Sequence, residues 1–197
     1  MYGRISRMEF IPGVFEVLQP SAPKERMTAL EKKCAIRMEN ITKRFGSKVI
    51  ANKDVNLELY EGEILSLLGE NGSGKTTLMN MLSGIYFPDE GQIYIHGKPV
   101  TIASPKDAFN YGIGMIHQHF KLVDVLTAAE NIILGLHGKE VLKMDEVRKK
   151  IKGLVDKYGF ELDPDQKIYE MSVSQKQTVE IIKVLYRGAN ILILDEP

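Results

Sequence analysis

Residues 69–76 read Gly69-Glu70-Asn71-Gly72-Ser73-Gly74-Lys75-Thr76. They match the phosphate-binding loop (P-loop) pattern G-x-x-x-x-G-K-[ST], whose glycines let backbone N–H groups curl around a chain of phosphates. An apolar run at residues 64–68 comes directly before the loop, and a helical pattern at residues 77–82 follows it. Because strand, loop and helix form the context that this motif requires, the sequence predicts a site for the phosphates of a nucleotide.

Three side chains at the end of the loop carry the expected chemistry. We expect the ammonium of Lys75 to contact the β- and γ-phosphates and the hydroxyl of Thr76 to hold Mg²⁺. Thr77 would add a hydroxyl near the inner phosphates, where the positive end of the following helix also favours an anion. The alternative is a glycine-rich turn that contains a lysine by chance, and the flanking strand and helix argue against it.

The composition is that of an ordinary globular chain. Hydrophobic residues make up 44% of its 197 residues, enough for a sizeable core in one domain or in one domain plus a small subdomain. Basic and acidic residues both number 26, so no overall positive field favours nucleic acid as the main partner. The single cysteine, Cys34, excludes a disulfide within the chain, and no cysteine or histidine cluster predicts a zinc site.

The chain before the P-loop predicts an extension followed by an antiparallel sheet. Residues 1–33 contain scattered prolines and no sustained hydrophobic period, so we expect a poorly ordered extension. Met27 leaves a misplaced start codon open as an alternative to a functional tail. Residues 34–41 and 55–60 alternate between apolar and polar, which is typical of half-buried strands. The continuous apolar run at 64–68 instead predicts a core strand covered on both faces.

Strand and helix signals continue after the P-loop. Residues 92–97 alternate like a strand, Ser104 precedes a proline as a helix start does, and residues 112–117 predict a buried strand. Thr127 begins a capping-box pattern, and residues 144–158 have a helical period. The two helical segments predict an insertion between strands of the sheet.

The last part of the chain predicts one more helix, one more strand and an acidic pair. Ser172 is expected to cap a helix, and residues 191–194 to form a fully buried strand. At the carboxyl end of this strand, Asp195 can hold Mg²⁺ and Glu196 can polarise an attacking water. Apolar strands that end in acidic residues are common, so the pair indicates a function only together with the P-loop.

These segments occur in the order found in a known family. The P-loop, Gln118 at a strand end, residues 171–175 at the start of a helix and the run 191–197 resemble an ABC-transporter ATPase domain over residues 35–197. More narrowly, the sequences of residues 115–132 and 184–189 resemble those of the importers of nucleosides and simple sugars.

The resemblance implies a fold and a domain organisation. It implies an α/β fold of the ABC ATPase type, a P-loop NTPase with a mostly parallel core sheet, an antiparallel β subdomain and a helical subdomain. We therefore expect an ATPase domain over residues 34–197, with the helical subdomain at about residues 119–175.

The resemblance also implies roles for individual residues. Phe45 falls where the family stacks an aromatic ring on adenine, and Gln118 where it senses Mg²⁺ and the γ-phosphate. Ser172 lies in the segment that resembles the signature loop, which contacts the ATP of the opposite protomer in a head-to-tail pair. Glu196, Gln118 and Lys75 are the implied catalytic residues, and Thr76, Gln118 and Asp195 the implied Mg²⁺ ligands. The implied ATP-binding residues are Phe45, Gly69, Glu70, Asn71, Gly72, Ser73, Gly74, Lys75, Thr76, Thr77 and Ser172.

The partners implied by the resemblance are other proteins. They are a second ABC ATPase domain, transmembrane permease subunits that dock near residues 120–127, and indirectly an extracytoplasmic substrate-binding protein. The expected location is the cytoplasmic face of the cell membrane, without nucleic acid as a partner. His117 and His119 flank Gln118 without the carboxylate or cysteine neighbours of a metal site, so we expect them to serve in packing or coupling.

The sequence departs from the family pattern at two places. Val173 and Ser174 stand where the signature loop has glycines, and a side chain at Ser174 would crowd the approach of the backbone to a γ-phosphate. The family also continues past the acidic pair to a switch histidine, so we expect this sequence to be a fragment that binds MgATP and hydrolyses it poorly.

The expected function is that of the ATP-binding and ATP-hydrolysing subunit that energises an importer of nucleosides or simple sugars. One alternative is a remnant that binds nucleotide without turnover. Another is a soluble ABC protein that acts on ribosomes or DNA, which the balanced charge argues against. A P-loop kinase would leave the Gln118 and Ser172 segments unexplained.

Overall fold

A computed structural model describes residues 16–18, 33–116, 120–136 and 143–195. The chain divides into two compact units, Met1–Tyr111 and Gly112–Pro197. The first unit contains the strands and helices β1 (Glu16–Leu18), β2 (Cys34–Phe45), β3 (Val49–Tyr60), β4 (Ser66–Leu68), α1 (Lys75–Leu82), β5 (Glu90–Ile95), β6 (Lys98–Val100) and α2 (Pro105–Asn110). The second contains β7 (Ile113–Ile116), α3 (Ala128–Ile133), α4 (Met144–Tyr158), a short 3-10 helix (Ile168–Glu170), α5 (Val173–Tyr186) and β8 (Ile191–Leu194).

An antiparallel sheet of four strands, in the order β3-β2-β5-β6, forms most of the first unit. The predicted alternation is confirmed in β5, where Ile93 and Ile95 are buried between accessible neighbours, and in β2 over residues 36–39. Elsewhere in β2 it breaks down, because Ala35 and Thr42 are buried next to other buried residues. The observed strands are longer than predicted: β2 continues to Phe45 and β3 begins already at Val49. The buried apolar residues of this sheet include Ile36, Met38, Ile41, Leu57, Ile93 and Ile95.

The strand before the P-loop is shorter and more exposed than its apolar sequence predicts. β4 pairs antiparallel with β1, with Glu16 opposite Leu68. β1 therefore lies within the stretch that was expected to be poorly ordered. The prediction of a strand covered on both faces was wrong, since the side chain of Leu68 is 45% exposed. Apolar residues become fully buried only where neighbouring elements cover both faces of a strand, and in the described residues β1 is the strand that pairs with β4.

A glycine turn follows α1, and the predicted helix start at Ser104 is confirmed. Gly84 has a positive φ of 75°, and a Cβ there would collide with the carbonyl of Ser104, so only glycine lets the two segments meet. Ser104 caps α2 by accepting a hydrogen bond from the Asp107 N–H, with Pro105 at the first helical position.

The second unit contains a parallel strand pair and a cluster of helices. β7 and β8 run parallel, with Ile113 opposite Ile191. A Cβ at Gly114 would collide with Val184 of α5, so a glycine allows this helix to lie close against β7. The burial predicted for β8 was wrong on one face: Ile191 and Ile193 are buried, whereas Leu194 is 47% exposed. Successive side chains of a strand point to opposite faces, and one face is accessible here.

The helical cluster has its own apolar core. The capping box predicted at Thr127 is confirmed, because its hydroxyl accepts the Glu130 N–H and the Glu130 carboxylate accepts the Thr127 N–H. The helix predicted at residues 144–158 is confirmed as α4, which Gly159 ends in a left-handed conformation. The core residues come from α3, α4, α5 and the short helix, and include Ala128, Ala129, Ile132, Val147, Ile151, Ile168, Val179 and Ile182.

Candidate functional site

The P-loop connects β4 to α1 as the motif requires. Gly72 and Gly74 both have positive φ, at 82° and 90°, so the chain turns through conformations that other residues rarely adopt. Gly74 stands immediately before α1 and offers no side chain to cap it. The first turn of α1 contains no acidic residue either. The helix therefore begins with backbone N–H groups and a positive dipole end that suit an anion.

Strand β3 supports the end of the loop. A Cβ on Gly74 would collide with the carbonyl oxygen of Ala51, so the loop backbone lies directly on this strand. The buried side chain of Asn52 donates from Nδ2 to the Gly74 carbonyl at 3.3 Å. Sequence reasoning missed Asn52, because the pattern predicted the strand to begin after this position.

The ammonium of Lys75 lies within its own loop. Nζ donates to the carbonyls of Gly69 at 2.8 Å and Glu70 at 2.9 Å, with Ser73 Oγ at 3.4 Å. The loop is closed further by the Ser73 N–H, which donates to the Glu70 carbonyl at 3.2 Å. The loop carbonyls thus hold a positive charge in place, and such a charge can pair with a phosphate oxygen.

The remaining predicted residues of the loop are accessible. Asn71 is exposed, as is Thr76 in the first turn of α1, while Thr77 is half-buried beside it. A hydroxyl at this position of a P-loop is a hard oxygen donor of the kind that Mg²⁺ accepts. Among the described residues there is no group of three or more His, Cys, Asp or Glu side chains that could hold a metal ion. A Mg²⁺ ion bound largely through nucleotide phosphates needs no such group.

Phe45 is the last residue of β2 and remains 39% exposed. Its ring lies edge-on to Tyr86, with ring centroids 5.1 Å apart, and the ammonium of Lys43 lies 5.7 Å from its centroid. The sequence singled out Phe45 and missed Tyr86, because the two rings are 41 positions apart in the chain and only the fold brings them together.

Asp195 follows the parallel strand pair of the second unit. Its N–H donates to the carbonyl of Ile116, the last residue of β7, at 3.2 Å. Asp195 therefore stands at the carboxyl edge of this sheet, as the sequence predicts, and its side chain is half-buried. Gln118 and Glu196 lie outside the described residues, so their roles stay predictions.

Ser172 begins α5 with the predicted cap. Its hydroxyl accepts the Gln175 N–H at 3.3 Å, and the Gln175 side chain accepts the Ser172 N–H at 2.9 Å. Ser172, Val173 and Ser174 are all exposed, so this helix start faces solvent. Its contact with a second protomer stays a prediction.

The loop at residues 120–127 is held from inside by polar side chains that the sequence did not single out. The buried Asn131 accepts the Val123 N–H at 2.7 Å and donates to the carbonyls of Val123 and Thr127 at 3.1 and 3.0 Å. From α5, Glu180 accepts the Lys121 N–H and Lys183 donates to the Lys121 carbonyl, at 2.9 and 3.3 Å.

The same loop presents apolar side chains outward. Phe120 and Val123 are exposed, and Val125 is 69% exposed. Burial lowers the pKa of the Lys183 ammonium beneath this loop, while nearby Glu180 opposes that shift. Polar side chains therefore satisfy the backbone on the inner side, and the outer side is available for contact.

Comparison with known proteins assigns the family. The model of the family described as ABC transporter matches residues 52–197, which include the P-loop, the Ser172 segment and Asp195. The chain belongs to the ABC transporter family. The α/β fold of the ABC ATPase type is confirmed with it.

Individual ABC transporter proteins match most of this chain. It is 54% identical over 164 residues to a nucleoside import ATP-binding protein, NupA, of Lactococcus lactis subsp. cremoris, and 49% identical over 164 residues to a guanosine import ATP-binding protein, NupO, of Bacillus subtilis. Each match covers 82% of this chain and 32% of the relative. The chain thus spans about a third of the length of these curated relatives.

A solved structure of the ABC transporter family has the same fold. A nucleotide-free ATP-binding cassette from an ABC transporter superposes with a TM-score of 0.70 at 26% sequence identity. The match covers 83% of this chain and 69% of that cassette.

Proposed function

We propose that this chain is the ATP-binding and ATP-hydrolysing part of an ABC importer for nucleosides or simple sugars. The observation that carries the proposal is the P-loop, which combines two left-handed glycines, an uncapped start of α1 and the ammonium of Lys75 within one short segment. These groups suit a chain of phosphates. The printed names of the relatives, nucleoside import and guanosine import ATP-binding proteins, support the transport class.

The residues present suit MgATP. Lys75 and the first N–H groups of α1 would bind the phosphates, and Phe45 would stack on the base. Mg²⁺, when bound, would neutralise charge on the phosphates. The hydroxyl of Thr76 and the carboxylate of Asp195 are hard oxygen donors that fit this ion, and Gln118 would join them.

Hydrolysis would depend on residues at the end of the strand pair. Glu196 would orient and deprotonate the attacking water, as a carboxylate after a strand can do. Ser172 would contact the ATP held by a second ATPase domain in a head-to-tail pair, and Gln118 would report the γ-phosphate to the helical part.

The transport step would require membrane partners. Within the described residues, no helix is long and apolar enough to cross a membrane. The exposed apolar side chains of residues 120–127 would contact permease subunits at the cytoplasmic face of the membrane. An extracytoplasmic substrate-binding protein would deliver the solute to those subunits.

Phosphate release from MgATP tests the hydrolytic part of the proposal. We expect slow release by the wild-type chain and about a hundredfold less by Glu196→Gln, because a general base contributes roughly that factor or more. Nucleotide affinity should be retained in Glu196→Gln. The exposed carboxylate of Glu161 gives the matched control, Glu161→Gln, which should behave as wild type.

Two results would contradict this prediction. Equal release by the wild type and Glu196→Gln would remove Glu196 from the chemistry. Binding of ATP without any release by the wild type would favour the nucleotide-binding protein without turnover.

A further inference from the structure

Tyr86 contacts both Phe45, the last residue of β2, and α1, the helix that follows the P-loop. Its backbone N–H donates to the carbonyl of Asn80 in α1 at 3.1 Å, as the N–H of Ile85 does at 2.9 Å. Its ring meets that of Phe45 at a centroid distance of 5.1 Å and an interplanar angle of 74°. This is edge-to-face geometry, in which two rings attract each other beyond the effect of burial. The Phe45 ring is thereby tied to α1.

Asp89 fixes the same segment to the end of β2. Its carboxylate accepts the Arg44 N–H at 2.6 Å and the Lys43 ammonium at 3.0 Å, and its own N–H donates to the Thr42 carbonyl at 2.9 Å. The hydrogen bond from the Arg44 backbone, followed by that from Lys43, lowers the pKa of Asp89. The segment that carries Tyr86 is therefore bound at one end to α1 and at the other to β2.

Besides Tyr86, the Lys43 ammonium lies 5.7 Å from the centroid of the Phe45 ring, and the rest of the hairpin end gives the ring little support. Phe45 pairs with Val49 across the hairpin turn, and both Val49 and Ile50 are exposed. Gly46, the next residue after Phe45, has a positive φ and no atom within 4 Å of the place where a Cβ would lie. An exposed ring at a hairpin end moves between rotamers unless a neighbour limits it.

The position of the Phe45 ring affects nucleotide binding, because the base and the phosphates are the two ends of one molecule. Both ends bind together at low entropic cost only if the stacking ring is held at a fixed place relative to the P-loop. We propose that Tyr86 is a positioning residue that holds Phe45 for stacking on the base of a bound purine nucleotide. This inference rests on the proposed function.

The test compares ligands with and without a base. The dissociation constants of MgATP and of magnesium tripolyphosphate would be measured by calorimetry for the wild type, Tyr86→Leu and Tyr86→Phe. Tyr86→Leu keeps an apolar side chain but loses the ring, whereas Tyr86→Phe keeps the ring. Phe87→Leu is the matched control, because this neighbouring ring is 53% exposed.

We expect Tyr86→Leu to weaken MgATP binding about two- to tenfold, because the released Phe45 ring must then be ordered when the base binds. Tripolyphosphate affinity should stay unchanged, and both Tyr86→Phe and Phe87→Leu should bind both ligands as the wild type does. In a Phe45→Leu background, Tyr86→Leu should cause no further loss.

Three results would overturn the inference. They are an equal loss of affinity for both ligands in Tyr86→Leu, unchanged MgATP affinity, and a further loss in the Phe45→Leu background. Failure of the proposed function would look different. In that case the wild type would not bind tripolyphosphate, or Lys75→Ala would bind it equally well, and the role of Tyr86 would fall with the site.

Discussion

Gly74 meets two separate requirements at the residue scale. Its φ of 90° is one that residues with a Cβ rarely adopt, and a Cβ would also collide with the carbonyl of Ala51 in β3. Gly72 meets only the first requirement, since no atom lies within 4 Å of its Cβ position. Comparing substitutions at these two glycines therefore distinguishes the cost of backbone conformation from the cost of close packing.

We predict that Gly74→Ala lowers the free energy of unfolding more than Gly72→Ala does. The unusual φ costs about 1–3 kcal/mol in either variant. Gly74→Ala would also push the loop away from β3 and break the hydrogen bond from Asn52 to the Gly74 carbonyl. That hydrogen bond contributes about 1 kcal/mol. Urea denaturation without nucleotide measures both values. Equal destabilisation by the two substitutions would show that the loop does not rest on β3.

The sequence predicts some residues of the site because their chemistry is local. The P-loop pattern identifies Lys75 and Thr76, and the cap pattern identifies Ser172, since each of these signals lies within a few adjacent positions. Tyr86, Asp89 and the buried Asn52 could not be predicted in the same way. Their partners are distant in the chain, and ordinary turn or strand patterns describe them equally well.

At the element scale, helices α3 and α5 support the loop at residues 120–127 through their side chains. Asn131 of α3 makes hydrogen bonds with both the N–H and the carbonyl of Val123, much as a neighbouring strand would. Glu180 and Lys183 of α5 do the same for Lys121. Irregular backbone that packs against a core needs such partners, because unpaired buried polar groups are costly.

We predict that Asn131→Ala destabilises the chain by roughly 1–3 kcal/mol, because it removes the acceptor of the partly buried Val123 N–H. The carbonyls of Val123 and Thr127 keep the N–H groups of Leu126 and residue 131 as donors. Asn110→Ala, at an exposed position near the end of α2, is the matched control and should change stability by less than about 0.5 kcal/mol. Denaturant unfolding measures both variants, and hydrogen exchange at the Val123 amide should become faster only in Asn131→Ala. Unchanged stability and exchange would mean that the loop is not held by this side chain.

Most strands were predicted near their observed positions, although β1 and β6 were missed and β3 was predicted to begin too late. Their burial was predicted less well, for a physical reason. Alternation in the sequence reports the two faces of a strand, and it correctly placed the buried residues of β5 and of β2 over residues 36–39. A continuous apolar run reports only that both faces can be buried. Whether they are depends on other elements, and this explains why Leu68 in β4 and Leu194 in β8 are exposed against expectation.

At the scale of the whole molecule, the two units contribute different parts of the proposed chemistry. The first unit contains Phe45 and the P-loop, and the second contains Asp195 and the start of α5 at Ser172. The match of the ABC transporter family to residues 52–197 includes parts of both units. The order of these segments in the sequence was enough to predict the family and the fold.

Binding of MgATP to the wild-type chain and to Lys75→Ala tests the central claim most directly. Lys48→Ala, which removes an exposed lysine at the tip of the β2–β3 hairpin, is the control for the loss of a positive charge. We predict that calorimetry shows binding to the wild type and to Lys48→Ala, and at least about tenfold weaker binding to Lys75→Ala, because the variant loses charge-assisted contacts to the phosphates. Equal affinity for the wild type and Lys75→Ala would contradict the assignment of this loop as the nucleotide site.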